Sequence, residues 1–461
     1  MNGTLFASLI TIAFSQPAGP SPTGAHREAL DRICRPFAAS GAAGTLSGAR
    51  FAPEQAQNPE TAAATIQAHQ TMLLLPDGRF MLGTSALYPG DIEFRFRTIG
   101  SPAGEDTVDL LGWREGDVLQ HDDAASAVKD HADLRLLIPG LLACDALERK
   151  ASDEAGLVRY TDAAGRVVAL RFSGTGELQQ AEIGSETYRY DGWSADAQQP
   201  RQIVRLRDGR EIARWTDMQI APTQAADVQQ MALPPGYRPA DDPGPLRATP
   251  LGHGAYRVDG TASGYHTGFV VGSREVALFD APIGVDDAKA VRALIERTAP
   301  NRRIAHVIAS HVHNDHMAGL PAYPDAEVVT GIGGGIALRR QLGATLPAHV
   351  REISTATEID LGDRIIRIYP LASSHASTML VGYDARSRSV FQGDLFYLPE
   401  RGKVPAAFRT GTELAGLIRN QKLGVDHIVG VHGRTATMTD LQQGLALFDK
   451  GAESALSITL P

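Results

Sequence analysis

His311-Val312-His313-Asn314-Asp315-His316 puts three imidazoles and a carboxylate within six consecutive residues. In an extended segment, side chains two apart point the same way. His311 and His313 can therefore grip one metal ion together. Asp315 and His316 follow where the chain turns towards a helix, so their side chains can aim at a second ion nearby. Imidazole and carboxylate donors together suit zinc, iron or manganese. A lone histidine is ordinarily a satisfied polar residue, but that reading does not explain a His-x-His-x-Asp-His string at a strand end.

The elements around the string are those of an α/β domain. Arg303–Ala309 reads as a buried strand that delivers the motif, with a helix expected after it. Before it, Gly254–Val258, His266–Val271 and Glu275–Asp280 read as strands. Asp286–Arg297 reads as an amphipathic helix with Val291, Leu294 and Ile295 on one side. After it come strands at Glu327–Thr330 and Ile359–Tyr369, then a hairpin turning at Asp384–Ser387. Gly331-Ile332-Gly333-Gly334-Gly335 lacks the lysine of a phosphate loop and reads as a turn. Mixed strands and helices in this order predict a layered sandwich over residues 247–461.

The first half of the chain has a different pattern. Thr71–Leu75, Ile92–Arg97, Leu157–Tyr160, Val167–Phe172, Glu186–Tyr190 and Gln202–Arg207 read as strands, and Ile92–Arg97 alternates with period two. Short turns between them predict antiparallel hairpins over residues 25–235. Ala124–Ile138 reads as a helix ended by Pro139-Gly140, with a second short helix at Leu141–Leu147. Leu233–Pro245 holds five prolines and two glycines and cannot continue a helix or a central strand, so residues 236–246 are expected to be a linker. Leu5–Phe14 followed by Ala13-Phe14-Ser15 reads as a signal peptide, with a linker up to residue 24, and predicts export to a periplasm or medium; without cleavage the protein would be cytoplasmic. No later stretch approaches the ~20 apolar residues of a membrane span. Cys34 and Cys144 either form one disulfide or are two separate buried thiols.

The net charge of -9 comes from the N-terminal half, and no basic run appears. That argues against a nucleic-acid partner held through its phosphates; the partner expected for the metal site is a small-molecule substrate.

The motif resembles the signature of the metallo-β-lactamase superfamily, and the resemblance extends over roughly Leu251 to Leu447. His375, in Ser373-Ser374-His375-Ala376-Ser377, stands where that family usually has Gly-His-Thr, with Ser374 replacing the glycine. Asp394, in Gln392-Gly393-Asp394, matches the family's Gly-Asp element. His432, in Val431-His432-Gly433, matches its final ligand, and Asp280 matches a supporting aspartate. The resemblance implies an αββα sandwich preceded by a mainly antiparallel β domain. It implies that His311, His313 and His375 hold one divalent ion, that Asp315, His316 and His432 hold a second, and that Asp394 bridges both. Zinc is the first expectation for the pair, with iron or manganese also compatible. The N-terminal strands resemble, in pattern, the half-barrel of bacterial lipoprotein carriers, which implies a lipid or protein ligand for that domain.

Such a pair of ions supplies hydroxide near neutral pH, with Asp315 orienting it and shuttling its proton. The expected activity is hydrolysis of an ester, lactone, thioester or amide. Metallo-β-lactamases proper usually carry Cys or Ser where Asp394 stands. Too few residues follow His432 for the helical domain of glyoxalase II. The alternatives are a β-lactam hydrolase, an iron oxidoreductase of the sulfur dioxygenase type, and a binding module with an auxiliary metal domain. Tyr265, His266 and Tyr397 are candidate substrate-facing groups.

Overall fold

The computed structural model describes residues 24–451 other than 56–62, 111–116, 150, 155–156, 194–198, 226, 234, 240–243 and 283. The expected signal segment lies outside the described residues. No described helix is long and apolar enough to cross a membrane.

The N-terminal half opens with α1 (Ala25–Cys34). Strands β1 (Ala42–Ala52), β2 (Ala64–Leu74), β3 (Phe80–Tyr88), β4 (Ile92–Ser101) and β5 (Gly104–Asp109) then form an antiparallel meander. Helices α2 (Ala124–Arg135) and α3 (Pro139–Glu148) follow. A second meander ends in the strand Arg210–Pro222, which pairs with β1 and joins the two meanders into a single 14-stranded sheet.

Local chemistry explains the turning points. The β3–β4 turn runs through Gly90 at φ 87 and Asp91 at φ 59, left-handed values that glycine and aspartate tolerate best. Asp123 caps α2 by accepting from the Ser126 amide at 2.9 Å. The helix stops at Arg135, short of the expected Ile138. Pro139 does not end it but opens α3, at a helix position that needs no N–H. Cys34 and Cys144 are disulfide-bonded, with Cα atoms 4.8 Å apart, and tie α1 to α3. Both helices share a core with Phe80, Leu170 and Tyr190 of the sheet. Within the expected linker, Arg238–Pro239 makes a two-residue parallel pairing with Asp117–Val118 at the sheet edge.

The C-terminal half is a sandwich of a seven-stranded and a five-stranded sheet. In the larger sheet, Thr267–Val271 is antiparallel to Glu275–Phe279, and Arg303–Ile308, Glu327–Gly331 and His349–Ile353 continue in parallel. The smaller sheet runs from Thr357–Asp360 to His427–Val429. Their facing surfaces interlock, with Phe279 stacked on Phe391 at 4.0 Å and 3°. Helix α4 (Val285–Thr298) covers the larger sheet with Val291, Leu294 and Ile295 buried, as its periodicity predicts. The helix expected after the motif is a single turn, α5 (Asn314–Met317). Gly319, which packs against the Pro282 carbonyl, and Pro321 cut it short. Helix α6 (Gly334–Leu342) follows the glycine turn. Helices α7 (Arg409–Asn420) and α8 (Met438–Gly451) lie with the smaller sheet, with Leu414, Leu417 and Leu441 in its outer core.

Candidate metal centre

The residues of the centre come from loops flanking strands and from the single turn of α5. The strand Arg303–Ile308 delivers His311 and His313, and α5 begins at Asn314, so Asp315 and His316 turn away from the strand direction. His375 precedes the strand Leu380–Asp384. Asp394 follows Ser389–Phe391, and His432 follows His427–Val429. The parallel pairing of those last two strands brings their C-terminal ends side by side.

The seven side chains form two adjoining groups. His311, His313 and His375 make one; Asp315, His316, Asp394 and His432 make the other. Within each, one donor atom per residue lies within 4.8 Å of the rest. Nε2 of His375 is 3.2 Å from Nε2 of His311. Asp394 spans the groups: Oδ1 is 2.9 Å from His316 Nε2 and 3.3 Å from His432 Nε2, while Oδ2 is 3.5 Å from His375 Nε2.

The donors fit divalent cations. His313 is buried, yet neither ring nitrogen has a hydrogen-bond partner; Asp315 Oδ1 is likewise buried without one. Buried polar atoms are otherwise paired almost without exception. Nitrogen and carboxylate oxygen donors are also the set that zinc takes.

The electrostatics separate the two groups. Burial, reinforced by the neighbouring imidazoles, pushes His311 well below the usual histidine range, and burial likewise pushes His313 down to about 3. These rings are held neutral, the form that coordinates a cation. In the second group burial opposes charge and is overcome. The Asp394 and Asp315 carboxylates raise His432 to about 9 and raise His316 well above its usual value. His316 and His432 in turn hold Asp315 at about 2 and Asp394 well below the carboxylate range.

Outer contacts fix the rings. Asp280, itself at φ 63, accepts from the Ser310 amide at 2.6 Å, from Ser310 Oγ at 2.7 Å and from His316 Nδ1 at 3.1 Å. That commits Nε2 of His316 to the centre. Gln392 accepts from the Leu395 amide at 2.7 Å and donates to the Phe396 carbonyl at 2.9 Å, fixing the loop that carries Asp394. Gly393 must be glycine: a Cβ there would meet Ser310 Oγ at 2.3 Å. Glu413 of α7 accepts from the Ser374 amide at 3.0 Å. Nδ1 of His375 donates at 2.7 Å to the carbonyl of Pro89, in the β3–β4 turn of the other half of the chain.

Residues 260–432 match the family model described as the metallo-beta-lactamase superfamily. The match lies wholly within the C-terminal half and covers less than half of the chain. Among solved structures, a metallo-β-lactamase from Pontibacter korlensis aligns at 18% identity and TM-score 0.36, covering 44% of this chain and 99% of its own. One from Hirschia baltica aligns at 18% and 0.35, covering 44% and 98%. The metal-soaked Flv1 flavodiiron core from Synechocystis sp. PCC6803 aligns at 15% and 0.37, covering 45% of this chain but only 62% of that one. No curated protein matches the sequence.

The C-terminal domain opens onto a cleft of about 600 Å³. Tyr265 and Tyr397 line it, with ring centroids 5.0 and 5.3 Å from that of His432. His266 does not face it. Its ring is buried against Asp259, the Val258 carbonyl and Glu400, with Nε2 2.5 Å from Glu400 Oε1; it is part of the packing that holds Glu400 at the rim. His306 lies between Glu275 and Glu327, apart from the centre. The remaining cleft residues were not evident as such from sequence. Tyr88, Ile92, Phe94 and Phe96, from β3 and β4, form its far wall.

Proposed function

We propose that the protein is a dinuclear, zinc-dependent hydrolase that opens the carbonyl of a neutral small-molecule ester, lactone, thioester or amide. The observation that carries this reading is Asp394, whose two oxygens address the two groups of donors separately. In this reading His311, His313 and His375 hold one ion, and Asp315, His316 and His432 the other. When bound, such a pair acidifies a water and polarises the carbonyl oxygen.

The chain's own groups supply the rest. Asp315 is ionised and partly open to the cleft, with its Oδ2 3.4 Å from His432 Nε2. It can take the proton of the attacking water and return it to the leaving oxygen, sulfur or nitrogen, acting as base and then as acid. Burial beside Asp394 pushes the Tyr397 hydroxyl well above its usual range, so it stays protonated next to that carboxylate. Among the described residues lining the cleft there is no lysine or arginine. A substrate recognised through a carboxylate would lack its usual partner, which favours neutral carbonyl compounds over β-lactams.

A panel of neutral esters, lactones and thioesters set beside β-lactams tests the assignment. Turnover of at least one neutral class, with β-lactams cleaved at least tenfold more slowly, is expected. β-Lactams turning over faster than every neutral compound would overturn it.

A further inference from the structure

The far wall of the cleft is supplied by the N-terminal half. Ile92, Phe94 and Phe96 alternate along β4, so all three share one face. Tyr88 faces Ile92 across the β3–β4 pair. The rings of Phe94 and Phe96 stack at 5.5 Å and 13°, and Tyr88 meets Phe94 edge-on at 5.2 Å. Phe94 and Phe96 are only half-buried, although the same face of the sheet is covered further along, where Gly100 lies under Phe80 and α2 crosses β4 and β5. The helical cover ends where the metal centre begins.

The hairpin also docks tightly. Gly90 sits so close to His375 and Thr410 that a Cβ would meet them at 3.1 and 2.9 Å. The aromatic wall and the centre are thus parts of one cleft, held in register by the Pro89–His375 hydrogen bond.

We propose that Tyr88, Phe94 and Phe96 are the specificity wall of the centre and receive a hydrocarbon group carried by the substrate beside its reacting carbonyl. The proposal rests on the metal-centre reading above and names the substrate class within it. Three aromatic rings lining the cleft, with no lysine or arginine among its described lining residues, suit an acyl chain better than an anionic group.

Hydroxamates test this without turnover, because they bind a metal centre and can carry chains of any length. Binding of acetohydroxamate and octanohydroxamate to the zinc-loaded full chain is measured by calorimetry. The longer ligand should bind at least roughly tenfold more tightly. In the Phe94→Ala/Phe96→Ala double variant the preference should fall below about threefold, with zinc content and acetohydroxamate affinity unchanged. Thr107→Trp, which fills the cleft from β5, should remove the preference by exclusion, and Phe94→Leu/Phe96→Leu should retain it. No chain-length preference in the parent, or a preference surviving in both the alanine and tryptophan variants, overturns the proposal. A preference that follows these expectations, while no carbonyl compound is hydrolysed, would sink the reaction and leave the wall standing.

Discussion

His375 reaches outside its own domain for its orientation. Its Nδ1 is satisfied by the Pro89 carbonyl, which leaves Nε2 aimed at His311 and Asp394. Loss of such an outer contact typically costs ten- to a hundredfold in metal affinity. Gly90→Ala should therefore weaken binding of one zinc ion by about tenfold or more in competition with a chromophoric chelator. Its added carbon would press on His375, and its φ of 87 is unfavourable for alanine. Unchanged affinity for both ions would show that the turn does not position the ring. The ligand-type residues were legible in the sequence because their chemistry is carried by side chains at family spacing. Pro89 was not: its contribution is a backbone carbonyl, which any residue type has. His266 was misplaced for a related reason. Adjacency to Tyr265 says nothing of which side of a strand start a ring takes, and here Asp259 and Glu400 claim it.

At the scale of elements, the period-two alternation of Ile92–Arg97 announced β4 and the helical period of Asp286–Arg297 announced α4. What lay over the exposed ends was not announced. The half-buried face of β4 is covered by α2 at one end and by the metal centre at the other, and only tertiary packing decides that. The α2 end has a measurable consequence. Glu105 of β5 is buried beneath α2, and burial, with Asp130 and Asp122 nearby, raises its carboxyl from 4.5 to about 7. The folded state keeps this proton to higher pH than the unfolded chain. Stability from this group is therefore fully present below about pH 4.5 and lost as pH rises towards 7. Glu105→Gln should raise the unfolding free energy on the order of 1 kcal/mol at pH 8 and change it little at pH 5. An equal effect at both values would show that Glu105 is ionised throughout.

At the scale of the whole molecule, the two halves meet at the site. The C-terminal sandwich carries the seven candidate ligands on loops flanking its strands and on α5, while the N-terminal sheet contributes a backbone acceptor and an aromatic wall. The sequence marked a change of character at Leu233–Pro245, but a proline-rich boundary does not tell whether the halves stand apart or pack together. The disulfide between Cys34 and Cys144 was open for the same reason, since 110 residues separate its partners. Titration of chelator-stripped protein with zinc, with hydrolysis of a responsive neutral ester or thioester followed at each addition, tests the account most directly. It predicts negligible activity in the stripped protein and a rise that saturates at two zinc ions per chain. Full activity in the stripped protein, or saturation at one ion, would contradict it.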